Sequence, residues 1–193
     1  MPDPKTGERH IADVRTPSGL VIEFQHSHID PQERAAREKF YKDMVWIVDC
    51  TRLRYDYRRF LKGKGEFRSA GARGIYFVCF AEECFPAAWL GSSVPVFFDF
   101  RGNETITDSN DPRHSIYCLL PKQVGRDRVV LSMMHNFFVG ITVNNKWSTL
   151  MNTMNDFYKA WQSRLQMQQR QEENAMIARF MRRRRFRGRG RRF

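Results

Sequence analysis

The sequence lacks the features of a membrane or secreted protein. None of its apolar runs approaches the roughly 20 residues that a helix needs to cross a bilayer. The first nine residues are polar and carry charges of both signs, unlike a secretory signal peptide. Only four cysteines are present, and without an export signal we expect reduced thiols in a cytoplasmic protein with no membrane partner.

The cysteines also lack the spacing of a zinc site. Cys79 and Cys84 are separated by four residues, and no second pair lies at ligand spacing. Cys79 belongs to the apolar run 75–80, where a buried thiol is ordinary packing. We therefore expect structural cysteines.

Acidic residues are absent from the last fifteen positions, which contain nine arginines. The whole chain has a net charge of +12, so residues 1–178 account for only +3. This imbalance indicates a polyanionic partner for the C-terminal segment. Arginine alternates there with phenylalanine and glycine, which favours non-specific binding of nucleic acid over a mere solubility tail.

The first third of the chain predicts an α/β (α+β) fold with a mixed sheet. Turn residues at 16–19 separate two strands, 11–15 and 20–25, which form a hairpin. Asp30, Pro31 and Glu33 are typical of a helix start, and we predict a helix through about residue 43. An apolar strand, 45–48, follows and ends at Asp49.

The rest of the chain predicts a β-rich second half and a long C-terminal helix. We expect a core over 1–62, a β-rich extension over 63–146, a helical segment over 147–181 and a disordered tail over 182–193. The helical segment should pack on the body through its apolar face. Other predicted elements are a helix at 55–61, a mobile basic loop at 63–74, and strands at 75–80, 94–100, 115–120, 129–134 and 137–143.

Three polar side chains in the predicted hairpin are the candidate site. Asp13 and Glu23 are equidistant from the turn, so they should face each other with Cβ atoms about 5 Å apart. Gln25 is two residues beyond Glu23 and shares its face. Paired carboxylates suit Mg²⁺ or Mn²⁺, which can polarise a phosphate and activate water. Spacing alone also fits a solvent-facing hairpin with ordinary surface acids.

A longer string of residues resembles a known family. The segments 10–14 and 19–27, with Ile29, Arg34, Arg37, Tyr41 and Trp46, resemble the nuclease core of competence protein CoiA-like proteins, within the PD-(D/E)XK superfamily. The resemblance covers roughly residues 9–60 and implies a restriction-endonuclease-like core and a DNA substrate. It also implies that Asp13 and Glu23 bind the metal and that Gln25 is the third catalytic residue.

Several further residues are accessory candidates. His10 and His26 flank the proposed catalytic residues, although an isolated histidine near a strand end is more often structural. Arg34 and Arg37 lie three apart on the predicted helix and could bind phosphate or line a solvated face. The tail candidates for nucleic-acid binding are Arg182, Arg183, Arg184 and Arg185.

Three functions are compatible with these patterns. The first is a magnesium-dependent nuclease that hydrolyses DNA. The second is a non-catalytic nucleic-acid-binding protein that keeps the nuclease fold, because family members usually have a helix before the first active-site strand and only nine residues precede His10. The third, weaker hypothesis is an assembly protein that packages nucleic acid through its arginine-rich tail.

Overall fold

The structure is a computed structural model that describes residues 11–52 and 55–189, with 182–189 described as backbone only. These residues form an eight-stranded mixed sheet and four α-helices, which confirms the predicted mixed fold. The strands are β1 Val14–Arg15, β2 Val21–Gln25, β3 Met44–Asp49, β4 Arg68–Ser69, β5 Ile75–Val78, β6 Val96–Asp99, β7 Ser115–Val124 and β8 Asp127–Met134. The helices are α1 Pro31–Tyr41, α2 Asp56–Lys64, α3 His135–Val143 and α4 Trp147–Arg189.

The strand order is β1-β2-β3-β6-β7-β8-β5-β4. The pairs β2–β3 and β3–β6 are parallel, and every other described pair of strands is antiparallel. A single sheet therefore runs through both the predicted core, 1–62, and the predicted extension, 63–146. The chain separates into two compact units, Met1–Leu150 and Met151–Phe193.

Helix α1 begins where the sequence indicates. The Asp30 carboxylate accepts hydrogen bonds from the backbone N–H groups of Gln32 (2.8 Å) and Glu33 (3.2 Å), and Pro31 occupies the first turn. The helix ends at Tyr41, before Lys42 takes a positive φ of 50°. Parallel strands need a crossover of this kind, so α1 connects β2 to β3 across one face of the sheet.

Aromatic side chains fill the core on one face of the sheet. Phe60 of α2 is fully buried, and its ring centroid lies 4.4 Å from those of Phe100 and Tyr117. Phe85 stacks on Phe98 of β6 at 4.5 Å. This packing anchors α2 and the segment that follows β5 to the middle of the sheet.

Two predictions for the second half are wrong. Residues 137–143, predicted as a strand, belong to helix α3, because an apolar run of this length fits either structure and the burial of Phe138, Ile141 and Thr142 follows helical spacing. Cys79, expected inside, is exposed because it follows the end of β5, whereas Cys50, Cys84 and Cys118 are buried free thiols.

The predicted basic loop, 63–74, also contains regular structure. Its first residues complete α2, and Arg68–Ser69 form the edge strand β4, which pairs with β5. The turn between β4 and β5 contains Gly71 and Gly74, both with positive φ.

The C-terminal helix extends further than predicted. Disorder was expected from residue 182, but α4 is one continuous helix to Arg189. Arginine is a strong helix former, and the run 182–187 contains no glycine or proline to end the helix. Residues 190–193 lie outside the described part. Within the described residues, no helix is both long and apolar enough to cross a membrane.

Candidate active site

The hairpin register brings Asp13 and Glu23 together. Val14 pairs with Ile22 and Arg15 with Val21, so the next step of the same register sets Asp13 across from Glu23. The Asp13 carboxylate also accepts a hydrogen bond of 2.8 Å from the backbone N–H of Phe24. Asp13 itself is exposed, and it adjoins β1 instead of lying within the strand.

Glu23 is an unusual carboxylate because it is almost fully buried. Its side chain is 1% exposed, on the sheet face that α1 covers. Arg37 of α1 donates from Nη1 to Glu23 Oε2 at 2.9 Å. Oε1 is buried and makes no hydrogen bond to any residue that the structure describes. Glu23 therefore has one buried oxygen without a hydrogen-bond partner among the described residues, which is unusual for a polar atom inside a protein.

Electrostatics around Glu23 oppose its ionisation. Burial raises the pKa of Glu23, and the neighbouring Asp13 charge raises it further. Arg37 and the Asp13 backbone N–H favour the ionised form, but the net pKa shift is upward. A bound cation would relieve both the burial cost and the repulsion between the carboxylates.

Arg37 is shared between two carboxylates. Its Nη2 donates to Glu33 Oε1 at 2.6 Å, one helical turn earlier on α1, while Nη1 binds Glu23. The side chain is 29% exposed. Arg37 is thus positioned to orient Glu23, and its charge is already largely balanced in this conformation.

Gln25 lies on the same face of β2 as Glu23, two residues further along. Its side-chain Nε2 donates to the backbone oxygen of Ser27 at 2.8 Å. The amide is therefore held by the chain segment that leaves β2.

Arg34 does not fit its predicted contact with phosphate. The side chain is 8% exposed, and its Nη1 lies 3.3 Å from Glu38 Oε1. Glu38 also accepts hydrogen bonds from Trp46 Nε1, from the Ser92 hydroxyl and from Ser93. Arg34 belongs to a buried polar network because α1 turns it towards the sheet and not towards solvent.

His26, one of the two accessory histidines, binds an aspartate outside the candidate site. His26 Nδ1 lies 3.1 Å from Asp49 Oδ2, at the end of β3. His10 lies outside the described residues, and so do the side chains of Arg182–Arg185, whose backbone belongs to α4.

Two aspartates at the ends of parallel strands were not singled out from the sequence. Asp49 of β3 and Asp99 of β6 are register partners. Asp49 binds Thr51 and His26, and Asp99 binds the backbone of Arg101 and Gly102 and the ring of His135. The sequence signal that could have identified them is a polar residue at the end of an apolar strand. Both carboxylates accept hydrogen bonds from the loops that follow their strands, so their role is to hold these loops.

The candidate site offers a divalent cation only two protein ligands. Across the described residues, no group of three or more histidine, cysteine, aspartate or glutamate side chains converges on a metal position. Asp13 and the unpartnered Oε1 of Glu23 supply two hard anionic oxygens, which Mg²⁺ and Mn²⁺ prefer. Mg²⁺ commonly binds through one or two carboxylates with water and phosphate oxygens, so this set fits it.

Comparison with known proteins adds no relative: no family model, curated protein or solved structure matches this chain.

Proposed function

We propose that this protein is a divalent-metal-dependent nuclease that hydrolyses phosphodiester bonds in DNA, as the resemblance to CoiA-like proteins of the PD-(D/E)XK superfamily implies. One observation carries the proposal: a buried glutamate with an unpartnered oxygen lies across a hairpin from a second carboxylate. Apolar packing or a surface salt bridge does not account for that arrangement. We place this activity in the cytoplasm.

Each residue has a distinct role in the proposed site. Asp13 and Glu23 would hold the ion, Mg²⁺ or Mn²⁺. When bound, the ion supplies phosphate polarisation and a water of lowered pKa. Arg37 keeps Oε2 of Glu23 engaged, which would leave Oε1 as the oxygen for the ion. Gln25 orients a water or a phosphate oxygen through its amide, since it can carry no charge.

Nicking of supercoiled plasmid in the presence of Mg²⁺ tests the proposal. Asp13→Asn is the sharpest variant, because the amide oxygen can still accept from Phe24 N–H while the charge is lost. We expect a loss of at least about 100-fold in rate, which corresponds to nearly 3 kcal/mol of barrier. Glu23→Gln, which keeps an acceptor for Arg37, should behave alike.

The matched control is Asp156→Asn, which removes an exposed carboxylate on α4. This variant should nick plasmid at the wild-type rate. Equal cleavage by wild type, Asp13→Asn and Glu23→Gln would assign the activity elsewhere in the chain or to a contaminant.

The second candidate function is nucleic-acid binding without catalysis. The contact of Arg37 with Glu23 favours it, because an arginine can stand where a cation would otherwise balance the glutamate. Under this alternative, plasmid binding in a mobility-shift assay persists with and without EDTA, and no Mg²⁺ or Mn²⁺ concentration yields nicking.

A further inference from the structure

One cavity of the structure has none of the candidate-site residues in its lining. It measures about 410 Å³ and opens at the ends of β7 and β8, beneath the loop that leads into β7. Its size suits a small organic ligand, since ligand sites of this kind start at about 300 Å³. The lining residues are Lys64, Phe67, Tyr76, Ser109, Asn110, Asp111, Pro112, His114, Ser115, Tyr117, Ser132 and Met134.

One wall of this cavity is aromatic. Tyr76 of β5 and Tyr117 of β7 share a sheet face, because Tyr117 pairs with Ser132 and Tyr76 with Val130 on the same strand β8. The ring of Phe67 lies 5.7 Å from Tyr76 and 6.4 Å from Tyr117. Tyr76 and Phe67 are only half-buried, so their faces remain partly available for stacking.

A polar loop, residues 109–114, also lines the cavity and is already held in place by hydrogen bonds. Tyr57 donates to Asp111 Oδ1 at 3.1 Å, and Tyr117 donates to the Pro112 carbonyl at the same distance. Asp108 binds the backbone of Asn110 and the ring of His114. The cavity therefore has a rigid wall of hydroxyl, amide and imidazole groups, and a ligand would not have to order the loop first.

The charge at the cavity favours an anionic or neutral ligand. Lys64, at the end of α2, lines the cavity. The Asp111 carboxylate is balanced by Arg113, whose Nη2 lies 2.8 Å from it. A planar ring can stack on the aromatic wall, present its edge to the polar loop, and leave a phosphate near Lys64.

We propose that this cavity binds one unpaired nucleobase of the nucleic-acid strand, stacked on Tyr76 and Phe67, with its phosphate at Lys64. The inference rests on nucleic acid being the ligand of this protein, as the proposed function states, and it adds where and how a base is held. The polar loop offers donors and acceptors to the edge of the base.

Fluorescence polarisation with a labelled single-stranded oligonucleotide tests the inference, using the full chain in EDTA so that no cleavage occurs. Tyr76→Ala should weaken binding about 5- to 100-fold, the usual effect of removing one base-stacking aromatic ring. Tyr76→Phe, which keeps the stacking face, should retain most of the affinity. Tyr55→Ala, which removes an exposed tyrosine that does not line this cavity, is the matched control and should leave affinity unchanged.

A scan with a single abasic site moved along the oligonucleotide uses the wild-type protein and so avoids any folding defect of the variants. One position should lose about 5-fold or more in affinity without its base, and Tyr76→Ala should erase that position's effect. Equal affinity for every abasic oligonucleotide, or no oligonucleotide binding at all, would overturn the inference. Plasmid nicking separates the two proposals, because a protein that cleaves normally with no abasic effect retains its proposed function and loses only this pocket.

Discussion

Two buried glutamates show how hydrogen bonding distinguishes a structural acid from a candidate ligand-binding one. Glu38 and Glu23 are 5% and 1% exposed. Glu38 accepts from Arg34, Trp46, Ser92 and Ser93, so both of its oxygens are engaged. Oε1 of Glu23 has no partner among the described residues. A complete set of donors explains Glu38 through folding alone, whereas Glu23 retains unused binding capacity.

Removal of Glu38 should therefore be costly to stability. Glu38→Ala leaves the buried Arg34 charge without its partner and strands the Trp46 N–H donor, which predicts a loss of about 3–5 kcal/mol in the free energy of unfolding. Urea denaturation near neutral pH measures it. Lys39→Ala, at the exposed next position of α1, should change stability by less than about 0.5 kcal/mol. A loss for Glu38→Ala as small as that of the control would contradict the structural role of the network.

His135 predicts a pH dependence of stability. Its Nε2 lies 3.2 Å from Asp99 Oδ1, and this hydrogen bond raises the pKa of His135 above 6.5. Since the protonated form is favoured in the fold, its stabilisation is complete below about pH 6.5 and is lost as pH rises through the raised pKa. The stability advantage of wild type over His135→Gln should thus be largest below about pH 6.5 and shrink as the pH rises above it. A stability difference between wild type and His135→Gln that stays constant with pH would refute this linkage.

At the scale of elements, local signals in the sequence predicted the order of elements in the first third of the fold, although the predicted strand 11–15 is only Val14–Arg15 in the structure. The Asp30-Pro31 start predicted α1, and alternation in 20–25 predicted β2, which the structure confirms as Val21–Gln25. The hairpin register followed from the turn at 16–19, where Gly19 has a φ of 94°. These features are local, because each depends on a capping side chain, a turn residue or a short period.

Elements whose nature depends on distant partners were not predictable. The run 137–143 is helical, and its Phe138 packs against Phe97 of β6, with 4.5 Å between the ring centroids. This contact joins residues far apart in the sequence, so the local pattern could not show it. The burial of Arg34 likewise depends on Glu38 and on the sheet beneath α1. In the candidate site, Arg37 and Glu23 are fourteen positions apart in the sequence, so no local pattern predicts their contact.

The β4–β5 turn offers a matched pair of glycine substitutions. Gly74 has a φ of 76°, and an added Cβ would lie 2.6 Å from the backbone oxygen of Ser132. Gly71 has a φ of 84° but has open space around the same position. Both alanine variants bear the cost of a left-handed conformation, about 1 kcal/mol, and Gly74→Ala must also displace a strand.

Thermal unfolding should therefore give a lower midpoint for Gly74→Ala than for Gly71→Ala. The difference isolates the close approach between the turn and β8, where the Gly74 carbonyl accepts from Ser132 N–H at 2.8 Å. Equal midpoints for the two variants would mean that β8 yields freely at this contact.

At the scale of the whole molecule, charge and chemistry are located in different parts of the chain. The proposed carboxylates and the cavity beside Tyr76 belong to the unit Met1–Leu150, and the arginine-rich run belongs to the unit Met151–Phe193. Residues 1–178 carry a net charge of only +3. We therefore expect long-range attraction of nucleic acid to depend mainly on the C-terminal segment, and cleavage to depend on the hairpin.

The salt dependence of DNA binding measures that division. Replacing Arg182–Arg185 by glutamine removes four positive charges, so the slope of log affinity against log salt should become shallower by up to about 3.6, at roughly 0.7–0.9 per phosphate contact. The same four positions changed to lysine keep the charge and should keep the slope, which separates electrostatics from any effect on helix α4. Polarisation titrations between about 50 and 300 mM salt give the slopes. A screened, non-specific attraction must weaken when its charges are removed. An unchanged slope in the glutamine variant would therefore mean that the main phosphate contacts are made by the other unit.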